Sequence, residues 1–185
     1  MRSHAHTPSP EYRQVGALPA RELERLMVRG DTPDPGALAG WEFRGMNTPA
    51  WARLVGIKKF IKGFYRERQG GALYGFNEPV VQNGPGAPWI AKPHDGSPKR
   101  FGFYAVTAVD PTSRDNAFLH ALLLDYAQGG NFFADPTNTL RDYLVRVERG
   151  SDDLLLGKAY VAAGPARVPV SYFLLERHRP HDFAR

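Results

Sequence analysis

Beyond Gly71 the chain is a succession of short segments rich in β-branched and aromatic residues, each ending at turn chemistry. The strongest candidate strands are 100–109, 118–126, 140–148, 154–162 and 168–177, with shorter ones at 72–76 and 88–91. Their joints are Asp110-Pro111-Thr112-Ser113, Gln128-Gly129-Gly130-Asn131, Gly150-Ser151-Asp152-Asp153 and Gly164-Pro165, residue types that suit tight reversals. Strands at such spacing pair antiparallel, because a parallel pair needs a long crossover. The expectation is a mainly β domain whose antiparallel sheet closes or folds on itself.

Alternation gives each strand two faces. In 100–109, Phe101, Phe103, Ala105, Thr107 and Val109 oppose Tyr104, Val106 and Ala108, and both faces are largely apolar. That suits a strand with a core on one side and a second layer on the other. In 140–148 the apolar face is Tyr143, Val145 and Val147, while Asp142, Arg146 and Glu148 alternate with Leu140 and Leu144.

Two helices are expected before this body. The first spans 19–29, with Pro19 in its first turn, Leu23, Leu26 and Met27 on one face, and Gly30 to end it. The second begins at a cap on Asn47 or Thr48 and closes at Gly70-Gly71. Trp51, Leu54, Val55, Ile61 and Phe64 recur at helical spacing, and its polar side carries Arg53, Lys58, Lys59, Lys62 and Arg66. Residues 1–16, rich in Pro and Ser and without an apolar run, read as a disordered tail and not a secretory signal. Residues 17–177 read as one domain and 178–185 as a second tail.

With 185 residues, 42% of them hydrophobic, the chain is long enough to bury a sizeable core. No run approaches the ~20 apolar residues that cross a bilayer. The absence of cysteine excludes disulfides, zinc–thiolate sites and cysteine nucleophiles. A cytoplasmic protein is the simplest expectation. A net charge of +5 is modest, and only Lys58-Lys59 with Lys62 and Arg66 forms a cluster, which gives nucleic acid no broad basic surface.

Before the strands, Leu38-Ala39-Gly40-Trp41-Glu42-Phe43-Arg44-Gly45 sets a tryptophan beside a glycine at the start of an extended segment, with Trp41 and Phe43 on one face. This resembles the Gly-x-Trp signature on the first strand of calycin barrels, the lipocalins and fatty-acid-binding proteins, although here Gly40 and Trp41 are adjacent. Leu122-Leu123-Leu124-Asp125-Tyr126-Ala127 is similar to the lipocalin Thr-Asp-Tyr motif with Leu124 in place of Thr. Leu174-Leu175-Glu176-Arg177 supplies an arginine that can lie over the barrel-end Trp41. The carboxylate-binding Arg-x-Tyr pattern of the fatty-acid-binding proteins is absent. The resemblance implies an antiparallel lipocalin-like barrel that binds a hydrophobic or lipid-like molecule without chemistry or cofactor.

The polar groups expected in such a cavity are His120 and Tyr143, with Phe103 beside them and Arg100 or Arg141 as partners for an acidic head group. The Lys58, Lys59, Lys62 and Phe64 segment, as a basic amphipathic helix, is expected to cover a portal or touch an anionic membrane surface. The alternative architecture is an α+β cone-shaped curved sheet. It would host cyclase or isomerase chemistry with His120 as base, Asp125 as its orienting partner and Tyr143. Against it, His120 and Asp125 are an odd number of positions apart and face opposite sides of a regular strand. A third reading is a peripheral membrane or partner-binding module with a solid core. His178, His181 and Asp182, and His94-Asp95, lie in tails or loops and do not make a metal site.

Overall fold

The computed structural model describes residues 7–48, 56–68 and 71–185. Eight antiparallel strands form a closed barrel: β1 (Trp41–Asn47), β2 (Lys59–Arg66), β3 (Leu73–Pro79), β4 (Phe101–Ala108), β5 (Leu122–Asp125), β6 (Leu140–Arg146), β7 (Leu154–Ala163) and β8 (Ala166–Pro180). Each strand pairs with its successor, and β8 returns to β1 with Asn47 opposite Phe173 and Trp41 opposite Pro180. Closure removes the exposed sheet edge that an open cone would leave, so the alternative curved-sheet architecture does not hold. The strands at 72–76, 100–109, 140–148, 154–162 and 168–177 are present with shifted ends. Segment 118–126 keeps only its last residues as β5, and 88–91 supplies a single bridge, Val80 to Ala91.

The helices are α1 (Pro10–Gly16), α2 (Ala20–Arg29) and α3 (Pro35–Leu38). Helix α2 lies where expected. Helix α1 falls inside the segment expected to be a tail; the Ser9 side chain caps it by accepting from the Tyr12 N–H at 3.0 Å. At the other end, β8 runs on to Pro180, and His181 and Phe183 pack against Phe76.

The expected second helix is corrected over its described part: Lys59–Arg66 is strand β2. Its Trp51, Leu54 and Val55 lie outside the described residues. Lys-Phe-Ile-Lys-Gly-Phe-Tyr-Arg is rich in β-formers, and its period of two places Phe60, Lys62 and Phe64 inside the barrel, with Lys59, Ile61 and Tyr65 outside. Lysine falls on both faces, which imitates the polar side of a helix.

Two apolar layers follow from the strand alternation. Inside, Phe43, Phe64, Val106, Leu122, Leu144, Leu155 and Leu175 fill one half of the barrel, and Leu38 of α3 plugs its end. Outside, Tyr12, Leu23 and Met27 of α1 and α2 cover Leu123, Tyr143, Val145, Leu154, Leu156 and Leu174. Each large side chain so buried contributes about 2 kcal/mol. The apolar face of β6 thus packs under the helices, and its less apolar face, with Asp142, points into the barrel.

At the plugged end, Gly40 adopts φ +78°, a conformation that suits glycine, to turn the chain from α3 into β1. The Arg177 guanidinium sits 4.8 Å from the Trp41 ring centroid and 5.1 Å from that of Phe43. It also donates to the Ala37 carbonyl at 3.0 Å and to the Asp153 carboxylate at 2.7 Å, tying α3 to the loop before β7.

Aromatic rings line the other half flat against the wall because glycines face them across the ladder. Phe173 lies opposite Gly157, and Phe60 opposite Gly45. A Cβ on Gly157 would overlap the Phe173 ring. Gly157→Ala is therefore expected to lower stability by about 2 kcal/mol through displacement of that ring, read as a lower urea midpoint with an unchanged slope.

Candidate functional site

The interior is not filled throughout. A cavity of about 310 Å³ occupies the half of the barrel away from Trp41, bounded by Ile57, Phe60, Phe101, Leu140, Ala159, Val170 and Phe173, with Asn47, Thr137 and Ser171 among them. Lys62, Asn77, Tyr126 and Asp142 also line it, and among the described residues Lys62 and Asp142 are its charged ones. The turn bearing Thr137 is stapled to the loop of Phe132 and Phe133, rings 69% and 85% exposed, by Asn138 Nδ2 donating to the Phe132 carbonyl at 2.9 Å.

In an eight-strand ring β2 and β6 stand on opposite walls. Lys62 reaches across the lumen, and its Nζ meets Asp142 Oδ2 at 3.1 Å, with side chains only 3% and 5% exposed. The ammonium also donates to Asn77 Oδ1 at 3.0 Å and, in a short contact, to the Tyr126 hydroxyl. Tyr126 donates to Asp142 Oδ2 at 3.0 Å, and Asn77 Nδ2 donates to the Gly102 carbonyl at 2.8 Å. The rings of Tyr104, Tyr126 and Phe173 stand 4.6, 5.0 and 5.3 Å from Nζ, so π-faces surround the charge. Burial lowers the Lys62 pKa, and the charge and hydrogen bond of Asp142 pull it partly back. Burial also raises the Tyr126 pKa well above its ordinary value, with the Asp142 charge adding to it, so the phenol stays protonated and donates. The result is a cavity with apolar walls and a charged, internally neutralised floor.

The residues expected to bind a ligand are elsewhere. His120 lies outside the barrel, its Nε2 2.9 Å from the Met27 carbonyl of α2. Tyr143 is also on the outer face, in T-shaped contact with Phe118 and Tyr160. Arg141 pairs with Asp115 at 3.2 Å and Asp125 at 3.1 Å on that face. Arg100 lies over Phe76 and Phe183 and meets Glu78 at 3.2 Å, and Phe103 neighbours the same rings. All five sit one layer away from the cavity. The set His120, Asp125 and Tyr143 is not assembled: Asp125 accepts from the Ala127 N–H and pairs with Arg141, and His120 is committed to α2.

The basic segment is dispersed as well. Lys58 is exposed. Lys59 is buried outside the barrel beneath the 80–91 segment, donating to the Ala87 and Pro88 carbonyls at 2.9 and 3.1 Å and lying 3.8 Å from the Trp89 ring centroid. Phe64 belongs to the filled half, and Lys62 is the interior ion. A surface helix through these residues is thus replaced by one strand with its lysines buried on both sides. Among the described residues no helix is long and apolar enough to cross a membrane.

Asn77, Tyr126 and Asp142 were missed by the sequence reading. A signal existed: Asp142 breaks the apolar inner face of β6 between Leu140 and Leu144, as Lys62 does in β2 between Phe60 and Phe64. Opposite charges as lone interruptions of two inward faces are a pairing cue once the strands are aligned.

Compared with known proteins, the chain matches no family model, no curated protein and no solved structure.

Two stability tests follow from these contacts. Lys62→Met and Asp142→Asn each strand one charged partner, and each is expected to cost about 3 kcal/mol; Lys62→Met with Asp142→Leu should cost much less than the sum. Additive losses in chemical denaturation would mean that the two groups do not interact. Glu78, facing Glu42, Asp95, Arg100 and Arg179, is pushed up to about 7, chiefly by burial and then by Glu42, against the pull of Arg100 and Arg179. A carboxyl whose folded pKa is raised stabilises below its unfolded pKa, and that contribution is lost as pH rises through the folded value. Between pH 5 and 8 the wild type should therefore lose on the order of 2 kcal/mol relative to Glu78→Gln, seen as diverging denaturation midpoints.

Proposed function

We propose that this barrel binds a small hydrophobic molecule non-covalently in its interior. The observation that carries this reading is the cavity of about 310 Å³, apolar-walled and polar only at its floor and rim. Ligand sites have this character: apolar surface supplies affinity, and a few fixed polar groups supply orientation. At the ~30 Å³ that a water molecule takes up in the liquid, the space suits on the order of ten heavy atoms. That is a short-chain or bicyclic molecule, well below a long fatty acid. The eight-strand antiparallel barrel, with Trp41 under Arg177 at its plugged end, supports a lipocalin-like type in particular.

The runner-up, cyclase or isomerase chemistry at His120, has no supporting contact, since that ring is held outside by α2. Naphthalene, which has no head group, tests the reading directly through its own fluorescence. At about −0.6 kcal/mol per heavy atom its Kd should lie in the tens of micromolar. Ala159→Phe, which puts a ring into the cavity, should weaken it roughly tenfold or more. No saturable binding, or an unchanged Kd in the folded variant, would remove the reading.

A further inference from the structure

We infer that the cavity selects a neutral hydroxyl-headed molecule and rejects carboxylates. This rests on the reading of the cavity as a binding site and adds which head group its floor accepts.

A lysine ammonium has three N–H donors and no acceptor. In Lys62 all three have a partner, in Asn77 Oδ1, the Tyr126 hydroxyl and Asp142 Oδ2. The Tyr126 O–H is given to Asp142 Oδ2, and the two N–H groups of Asn77 Nδ2 go to the Gly102 carbonyl and, at 3.4 Å, to the Tyr126 hydroxyl. A carboxylate accepts through two oxygens, and both contacts to Asp142 fall on the same one. No hydrogen bond among the described residues engages Asp142 Oδ1, on a residue that lines the cavity. The floor therefore offers an incoming molecule a free acceptor and no free donor. Ser171, on the strand beyond Ala159, has a hydroxyl that can donate or accept, and so does not discriminate.

Charge points the same way. Among the described residues Lys62 and Asp142 are the charged ones of the lining, and they cancel each other. A carboxylate buried here would face the Asp142 oxygen without a counter-ion, and an ammonium would meet the Lys62 charge. Both are penalised in a poorly solvated space. A hydroxyl adds no charge, donates its one proton to Oδ1 and leaves the existing network in place.

The test compares 1-nonanol, nonanoate and nonylammonium, equal in chain length, by calorimetry on the full chain at about pH 7.5, where both ionisable probes are charged. The alcohol is expected to bind roughly tenfold or more tightly than either ion. Nonanoate binding as tightly as nonanol, or more so, would overturn the inference while leaving the cavity a binding site; no binding by any probe would instead fail the underlying reading. In Asp142→Asn the Lys62 charge loses its counter-ion, so the order should invert in favour of nonanoate. An unchanged order in that variant, once folded, would also overturn it, and where it does not fold the wild-type order decides. Ser171→Ala should keep the alcohol preference, and its loss there would move recognition to Ser171 and away from Asp142.

Discussion

The Lys62–Asp142 pair spans the barrel lumen, and the interior is organised on either side of it. Taking two ions out of water costs several kcal/mol each, and their attraction recovers that only with good geometry and further hydrogen bonds. Here the geometry is supplied by opposite strands at 3.1 Å, with Asn77 and Tyr126 completing the shell and three π-faces around Nζ. Below the pair, leucines and phenylalanines interdigitate as far as Leu38 and Trp41. Above it the wall rings lie back over Gly157 and Gly45, and space remains. A well-packed apolar pair would serve stability at least as well. What distinguishes the charged strut is the polar floor it gives the cavity.

The outer layer makes that interior affordable to a short-stranded barrel. Helices α1 and α2 cover the outward apolar faces of β5 to β8, so these strands are buried on both sides. The layer is also anchored by polar contacts: Lys158 to Glu24 at 2.7 Å, His120 to the Met27 carbonyl, and Ser9 to Glu176. The same layer explains why many conspicuous polar residues of the strands have structural partners. Arg141, Arg100 and His120 face outward and bind neighbouring elements, and the interior of the described barrel holds the Lys62–Asp142 pair.

Much of the architecture was legible in the sequence, because period-two alternation and turn residues are local signals. Strands β4, β6, β7 and β8, helix α2 with its Pro19 and Gly30 ends, and the stacking partner of Trp41 all answer to patterns of a few residues. Strand β2 did not, for a definite reason. Its inward Lys62 and outward Lys59 are both buried, and each is satisfied by groups distant in sequence, Asp142 in one case and the Ala87 and Pro88 carbonyls in the other. A rule that sends lysine to solvent then reads a polar helix face. The site was missed on related grounds. Both faces of 140–148 carry apolar residues, and choosing the inward one required knowing that α2 would claim Tyr143 and Val145. Once that choice is reversed, Asp142 comes inside and Tyr143 leaves; His120 is outside for another reason, because it falls in the turn before β5, where α2 holds it.

The most direct measurement is the nitrogen-resolved side-chain NMR spectrum of the lysines at about pH 7, with Lys62 assigned from Lys62→Met. A buried, paired ammonium exchanges slowly with water because each N–H is held by an acceptor. The expected result is a visible Lys62 ammonium signal with through-space contacts to the ring protons of Tyr104, Tyr126 and Phe173. A Lys62 resonance broadened by fast exchange, with no contact to those rings, would place the side chain in solvent and contradict a strut across the barrel.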